Sequence, residues 1–193
     1  MDAKFREKNQ KILQQGRGAG YWLWKPYIIY KHLTDDKLPD GSYIIYSDAG
    51  AKVIGDVKHV LNFMQEHDDL YKGVLFFGVG FPQKYFCKRD AFILQDCDNQ
   101  KCYDAMQINA FCGFFRKCDY SRMVVKAWLD ACQDERVLTD MSNKMGQPNL
   151  QGFRDHRHDQ AVITNLMNSK GWYYDTTNGP VLDKVFYHDR YKG

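Results

Sequence analysis

The chain has no apolar run long enough to cross a bilayer, no C-x-x-C pair, no block of basic residues and only five prolines. Each absence excludes something. A membrane-spanning helix needs about 20 apolar residues, so no span is expected. Structural zinc sites of the finger type need paired cysteine spacing, and none is present. Lysine and arginine are scattered among acidic residues, and the net charge of +3 is small for 193 residues; nucleic acid is not an expected partner. No Pro/Ser-rich linker or internal repeat divides the chain, so residues 1–193 read as one domain. Residues Met1 to Lys8 carry charge where an export signal needs an apolar core, which points to the cytoplasm.

What is present is ordinary globular composition, 44% hydrophobic and 26% charged, enough to bury a core without staples. Six cysteines without a leader or zinc spacing are expected to be reduced and mostly buried. The 13 Tyr, 12 Phe and 4 Trp suit a site where flat rings stack on sugars or bases, and equally an apolar core.

Residues 4–15 read as a polar surface helix anchored by Phe5, Ile12 and Leu13 and stopped by Gly16. A glycine loop, Gly16 to Gly20, then runs into Tyr21-Trp22-Leu23-Trp24-Lys25-Pro26, with Pro26 set to begin a helix through Leu33. Ser42 to Ser47 and Val74 to Phe77 are short runs suited to buried strands, and Ile108 to Phe115 is a third apolar run. Helices are predicted over 56–67, from Lys88-Arg89-Asp90 onward, over 121–135 with Ser121 as cap, and from His158 to Gly171. Strands alternating with helices predict an α/β layered fold, in which ligands gather at the carboxyl ends of strands. Asp48 stands at such an end.

Several groups of residues carry chemistry, each with a plainer reading beside it. Asp48, followed by the small Ala49 and Gly50, offers hard oxygen ligands to Mg2+ or Mn2+; an Asp after a strand is also a common turn former. Asp155-His156-Arg157-His158-Asp159-Gln160 places acids and imidazoles at a helix amino terminus, which attracts anions, although the same pattern fits a solvated helix cap. Lys25 could meet a phosphate or lie along a lid of aromatic residues. Lys88-Arg89-Asp90 fits a diphosphate and sugar clamp or an internal ion pair. Gln107-Ile108-Asn109-Ala110 sets amides and a small residue at a strand edge. Gly-Lys-Ser/Thr is absent and no strand precedes the glycine loop, so neither a P-loop nor a dinucleotide fingerprint is present.

The order of these groups, Arg17-Gly18-Ala19-Gly20-Tyr21-Trp22-Leu23-Trp24-Lys25-Pro26, then Tyr46-Ser47-Asp48-Ala49-Gly50, Lys88-Arg89-Asp90 and His156-Arg157-His158-Asp159-Gln160, resembles a GT-A-type glycosyltransferase family of bacteria and large DNA viruses. The resemblance covers roughly residues 5–170. It implies a nucleotide-sandwich fold with a central, mostly parallel sheet flanked by helices. The implied activity transfers sugar from a nucleotide-diphosphate-sugar, a UDP-sugar in the first instance, to a glycan or glycoprotein acceptor. For a viral member, that acceptor is a capsid protein and the setting is the host cytoplasm. It also implies Mn2+ (or Mg2+) held through an Asp-x-Asp element. Here the element reads Asp48-Ala49-Gly50 and lacks the second carboxylate, so His188 is the candidate for an extra ligand. The family's opening strand for the nucleobase is absent upstream of the aromatic segment.

On this reading Asp48 places the metal, and Lys25, Lys88 and Arg89 meet phosphates beside Trp24. Asn109, Ala110, His158 and Gln160 border the donor sugar. Asp159 is the first candidate base for the acceptor hydroxyl and Asp90 the second. Two other readings compete. One is a metal-dependent phosphodiesterase or nuclease built on His156, His158 and Asp159; the other is a non-catalytic nucleotide-sugar-binding module.

Overall fold

A computed structural model describes residues 1–188. Its strands are β1 (Tyr43–Ser47), β2 (Ala51–Val53), β3 (Val74–Leu75), β4 (Gly78–Pro82), β5 (Met106–Ile108), β6 (Cys112–Arg116) and β7 (Phe186–His188). They form a three-stranded sheet in the order β1-β6-β3 and two separate ribbons, β2-β7 and β4-β5. Every ladder is antiparallel, and the one parallel contact among the described residues is an isolated bridge between Phe77 and Asp175.

The expected GT-A-like nucleotide-sandwich, with its central parallel sheet, is therefore not what this chain builds. Alternation of strand and helix carries a physical implication only if the strands it joins become neighbours. β1 and β3 do point the same way, since each runs antiparallel to β6. β6, arriving later in sequence, inserts between them and separates the pair. The apolar run 108–115 also splits, because the backbone N–H of Asn109 donates to the Phe77 carbonyl at 2.6 Å and the chain turns at Ala110 before β6 begins.

The sheet divides the interior into two layers. Register puts Ile44, Phe115 and Val74 in one row and Ile45, Phe114 and Leu75 in the next, and side chains alternate between faces along each strand. Val74, Phe76 and Phe115 accordingly pack with Ile29, Leu33, Val124 and Trp128 on one side. Leu75, Phe77 and Phe114 pack with Val60, Met64 and Phe186 on the other. β1, at one edge of the sheet, is half-buried, whereas β3, at the other edge, is fully enclosed.

Helices follow the apolar periodicity closely, spanning Trp24–Leu33, Lys58–Glu66, Arg89–Leu94 and His158–Ser169. Two of the expected helices change more. The opening helix breaks at Asn9 into Ala3–Lys8 and Gln10–Leu13, where the Asn9 side chain donates to Phe5 O and Gln133 Oε1. The helix expected from Ser121 spans Asp119–Ala131; Ser121 sits inside its first turn and accepts from Cys118 N at 3.2 Å. The helix also stops short of residue 135, which opens a separate turn, Glu135–Leu138.

The cysteines also depart from expectation. Cys97 and Cys102 form a disulfide, while Cys87, Cys112, Cys118 and Cys132 are free. Both bonded residues are buried, and a six-residue loop closed this way contributes about 2 kcal/mol through the unfolded chain. Thiol titration in denaturant is expected to count four thiols without reductant and six after reduction. Six in both conditions would remove the bond.

Candidate functional site

A cleft of about 590 Å³ opens where the carboxyl end of β1, the Ala110–Phe111 turn, the start of the Trp24–Leu33 helix and the start of the His158–Ser169 helix meet. Lys25, Asp48, Ala110, His158, Asp159, Gln160 and His188 line it together, although they lie as much as 163 positions apart in sequence (188 − 25).

Its centre is a buried lysine between two carboxylates. Lys25 is 3% exposed. Its Nζ lies 2.8 Å from Asp159 Oδ2 and 3.5 Å from Asp48 Oδ1, and it donates to the Ala110 carbonyl at 3.0 Å. The Ala110 contact has hydrogen-bond geometry, whereas the two carboxylates neutralise the ammonium as ion pairs, so the negative charge facing Lys25 comes from the protein itself. Burial works against this ammonium, but Asp159 and Asp48 outweigh burial and hold its pKa above the ordinary lysine value. Burial likewise pushes the Asp159 carboxyl above the usual carboxylate range, against the pull of Lys25. Asp48 is tied more loosely. Its backbone N–H donates to Phe111 O at 2.7 Å, Tyr46 Oη donates to its Oδ1 at 2.6 Å, and the side chain remains one-third exposed to the cleft.

The glycine loop supplies the geometry that brings Lys25 inside. Residues Gly18, Ala19, Gly20, Tyr21 and Trp22 all have positive φ, a full turn of left-handed backbone. For residues other than glycine this costs roughly 1–2 kcal/mol each, and such strain persists only where surrounding packing enforces it. Gly18 has no alternative: a Cβ there would lie 2.4 Å from the Trp22 ring. Trp24 braces the turn from outside the cleft, its Nε1 donating to Gly18 O at 3.0 Å.

The histidine pair divides by role. His156 accepts from Lys88 N at Nδ1 (3.2 Å) and places Nε2 2.9 Å from Val137 O. Both ring nitrogens are thereby spent on backbone, and burial holds its pKa well below the ordinary histidine range. It cannot also ligate a metal as the nuclease reading requires. His158, at φ +46°, places Nδ1 2.9 Å from Leu138 O and stacks on Trp22 at 5.4 Å. Its buried Nε2 has no hydrogen-bond partner. Burial lowers its pKa also.

Gln160 begins a relay of amides of which Gln107 was also named from sequence, while Gln83 and Asn165 were not. It donates to Gln107 Oε1 at 2.7 Å, Gln107 to Gln83 Oε1 at 2.9 Å, and Gln83 to Asn165 Oδ1 at 2.9 Å. Gln83, Gln107 and Asn165 are fully buried, so the relay fixes the cleft's floor through satisfied polar groups.

Three predicted contacts fall elsewhere. Lys88 is buried and donates Nζ to Thr139 O and Met141 O at 3.1 and 2.7 Å. Arg89 pairs with Asp98 at 2.7 Å. Asp90 accepts from the backbone N–H groups of Lys144 and Met145 at 2.6 and 3.0 Å. Lys88 and Asp90 thus hold the 139–145 loop, while Arg89 is tied to Asp98 and, through its backbone N–H, to Asn149; none of the three lines the cleft. Asn109 contributes through its backbone at the strand boundary. Conversely Phe111 lines the cleft without having been singled out, and Arg17, Trp22, Asp155 and Arg157, present in the quoted motifs, line it without having been assigned a role.

For a divalent cation the donor set is thin. Asp48 and His188 share the cleft, His188 stacking on Phe111 at 4.6 Å. No cluster of three or more His, Cys, Asp or Glu suited to a metal occurs among the described residues. The fit is that of a cation completed by ligand oxygens and water. Among the described residues no helix is long and apolar enough to cross a membrane. No family model, curated protein or solved structure matches this chain.

Proposed function

We propose that the chain is a nucleotide-sugar-dependent glycosyltransferase domain that moves a sugar, in the first instance from a UDP-sugar, to a glycan or glycoprotein acceptor. The observation that carries the reading is the Asp48–Lys25–Asp159 cluster at the edge of a cleft that also gathers Ala110, Gln160 and His188. Three of the four quoted motifs contribute residues to this cleft and Lys88-Arg89-Asp90 does not, on an architecture other than the GT-A sheet.

Glycosyl transfer builds positive charge on the sugar and negative charge on the leaving diphosphate, and fixed groups of opposite sign lower the barrier. Asp48 and His188 are the residues that would hold Mn2+ or Mg2+, whose charge would stabilise the leaving diphosphate. Lys25 acts as a positioning residue that holds Asp48 and Asp159 in fixed relation. Asp159 and Gln160 face the sugar hydroxyls. Asp159, its proton affinity raised by burial, accepts the proton of the attacking hydroxyl.

A thermal-shift screen of nucleotide-sugars with and without Mn2+, followed by turnover assays, tests the reading. A transferase stabilised by ligand at a hundredfold excess over Kd gains about 2.7 kcal/mol, and transfer to an acceptor follows. A shift without turnover favours a binding module; the absence of both removes the proposal.

A further inference from the structure

Among the described residues three buried side-chain polar atoms lack a hydrogen bond, Arg89 Nε, Asp159 Oδ2 and His158 Nε2; the first two lie 2.7 and 2.8 Å from an opposite charge, which leaves Nε2 of His158. Placing a polar atom out of water without a partner is costly, and the tautomer is set from the far side of the ring by Leu138 O. The nearest charged group is Asp140, whose Oδ1 stands 3.8 Å away, beyond hydrogen-bond range. The other oxygen of the same carboxylate, Oδ2, is 3.0 Å from Nη1 of Arg17. Asp140 therefore stands between the Arg17 guanidinium and the His158 ring, and bonds only the first. Arg17 is half-exposed and lines the cleft at the head of the strained turn, whereas Lys25, the other cation brought there by that turn, is neutralised by carboxylates.

We propose that Arg17 receives a phosphate of the ligand, exchanging Asp140 for the anion, while Asp140 passes to Nε2 of His158. This rests on the reading of the cleft as a diphosphate site and names a residue that reading did not supply. Arginine matches phosphate oxygens with paired N–H donors, so the anion replaces the carboxylate with no loss of hydrogen bonds. The released carboxylate needs to close less than about 1 Å to reach normal hydrogen-bond distance. It then faces an imidazole that must carry a proton on Nε2 to donate, and that proton comes from solvent. Apart from this proton, which leaves a solvent or buffer O–H or N–H to form Nε2–H, no covalent bond changes. The charged and titratable groups facing His158 are Asp140 and Arg17 across the cleft, Asp155 on the preceding loop and His156 beside it, with Tyr21 and Trp22 covering the ring. Of these, Asp140 is the one freed by the exchange.

The test is calorimetric titration of UDP, with Mn2+ present, in buffers of differing ionisation enthalpy, on wild type, Arg17→Gln and Asp140→Asn. Protons released or bound by UDP itself are common to all three and cancel. Wild type is expected to take up a substantial fraction of one proton per UDP beyond the Asp140→Asn variant, and Arg17→Gln to bind at least about tenfold more weakly. Both substituted side chains are well exposed, and unchanged melting temperatures would verify that each variant folds. Sulfate, a non-titrating tetrahedral anion, separates the two levels of the argument. Arg17-dependent sulfate stabilisation with proton uptake, but no UDP binding, would keep the exchange and remove the nucleotide. Equal UDP affinity in Arg17→Gln, no difference in proton uptake, or no Arg17-dependent response to either anion would overturn the proposal.

Discussion

Replacing Lys25 with methionine is expected to destabilise the protein by about 3–5 kcal/mol, the usual cost of removing one member of a buried ion pair. Asp159 is 4% exposed, and without the ammonium its carboxylate has no cation within reach. Methionine is close in volume, so the loss measures charge and hydrogen bonding more than a cavity. For a chain of this size the change corresponds to a fall in Tm of roughly 6–20 °C. The double variant Lys25→Met/Asp159→Leu removes both buried charges and is expected to recover at least half of the loss. A Tm within about 2 °C of wild type for Lys25→Met would show that the pair is not buried as described. The pH dependence has a definite sign. Because its carboxylates raise the Lys25 pKa above 10.5, its contribution is fully present below that value and disappears as pH climbs through the higher folded-state pKa. Wild type should therefore lose the lysine's contribution in strong alkali, and its advantage over Lys25→Met should also shrink in acid, where the buried Asp159 of the variant takes up a proton.

Asp48→Asn is expected to separate catalysis from stability. The substitution preserves shape, Tyr46 Oη can still donate to the amide oxygen, and Lys25 keeps Asp159 and the Ala110 carbonyl. Folding should change little. Transfer from a UDP-sugar in the presence of Mn2+ should fall by at least about 100-fold, the scale seen when one preorganised electrostatic group is removed from a transition state. The response of UDP affinity to Mn2+ should shrink with it. Wild-type rates with unchanged Mn2+ response would exclude Asp48 from the chemistry, whatever the outcome for Lys25.

Most of the helices were legible because their apolar residues repeat at helical spacing, and that period depends on local geometry alone. Val60 and Met64, or Val162, Ile163 and Met167, report their buried face wherever the helix docks. The site was legible in part for a related reason. A carboxylate after a strand and a polar run opening a helix are local signatures, and Asp48, Asp159 and Gln160 do reach one cleft. Lys88, Arg89 and Asp90 carried an equally suggestive signature, yet Lys88 and Asp90 serve the 139–145 loop and Arg89 pairs with Asp98. Nothing in three adjacent residues states which carbonyls or N–H groups the fold will bring to them.

Composition and periodicity by themselves determined that this is a globular chain of short strands and amphipathic helices, with Asp48 just beyond a strand and Asp159 at a helix start. Tertiary structure alone decided that β6 enters between β1 and β3 and makes the sheet antiparallel, that Cys97 meets Cys102, and that Lys25 is enclosed by two carboxylates. The difference lies in range. Helical period and capping are interactions among residues a few positions apart. Strand order and ion pairing are set by which distant segments exclude water together, with Lys25 and Asp159 separated by 134 positions (159 − 25), and the same local pattern is compatible with more than one such arrangement.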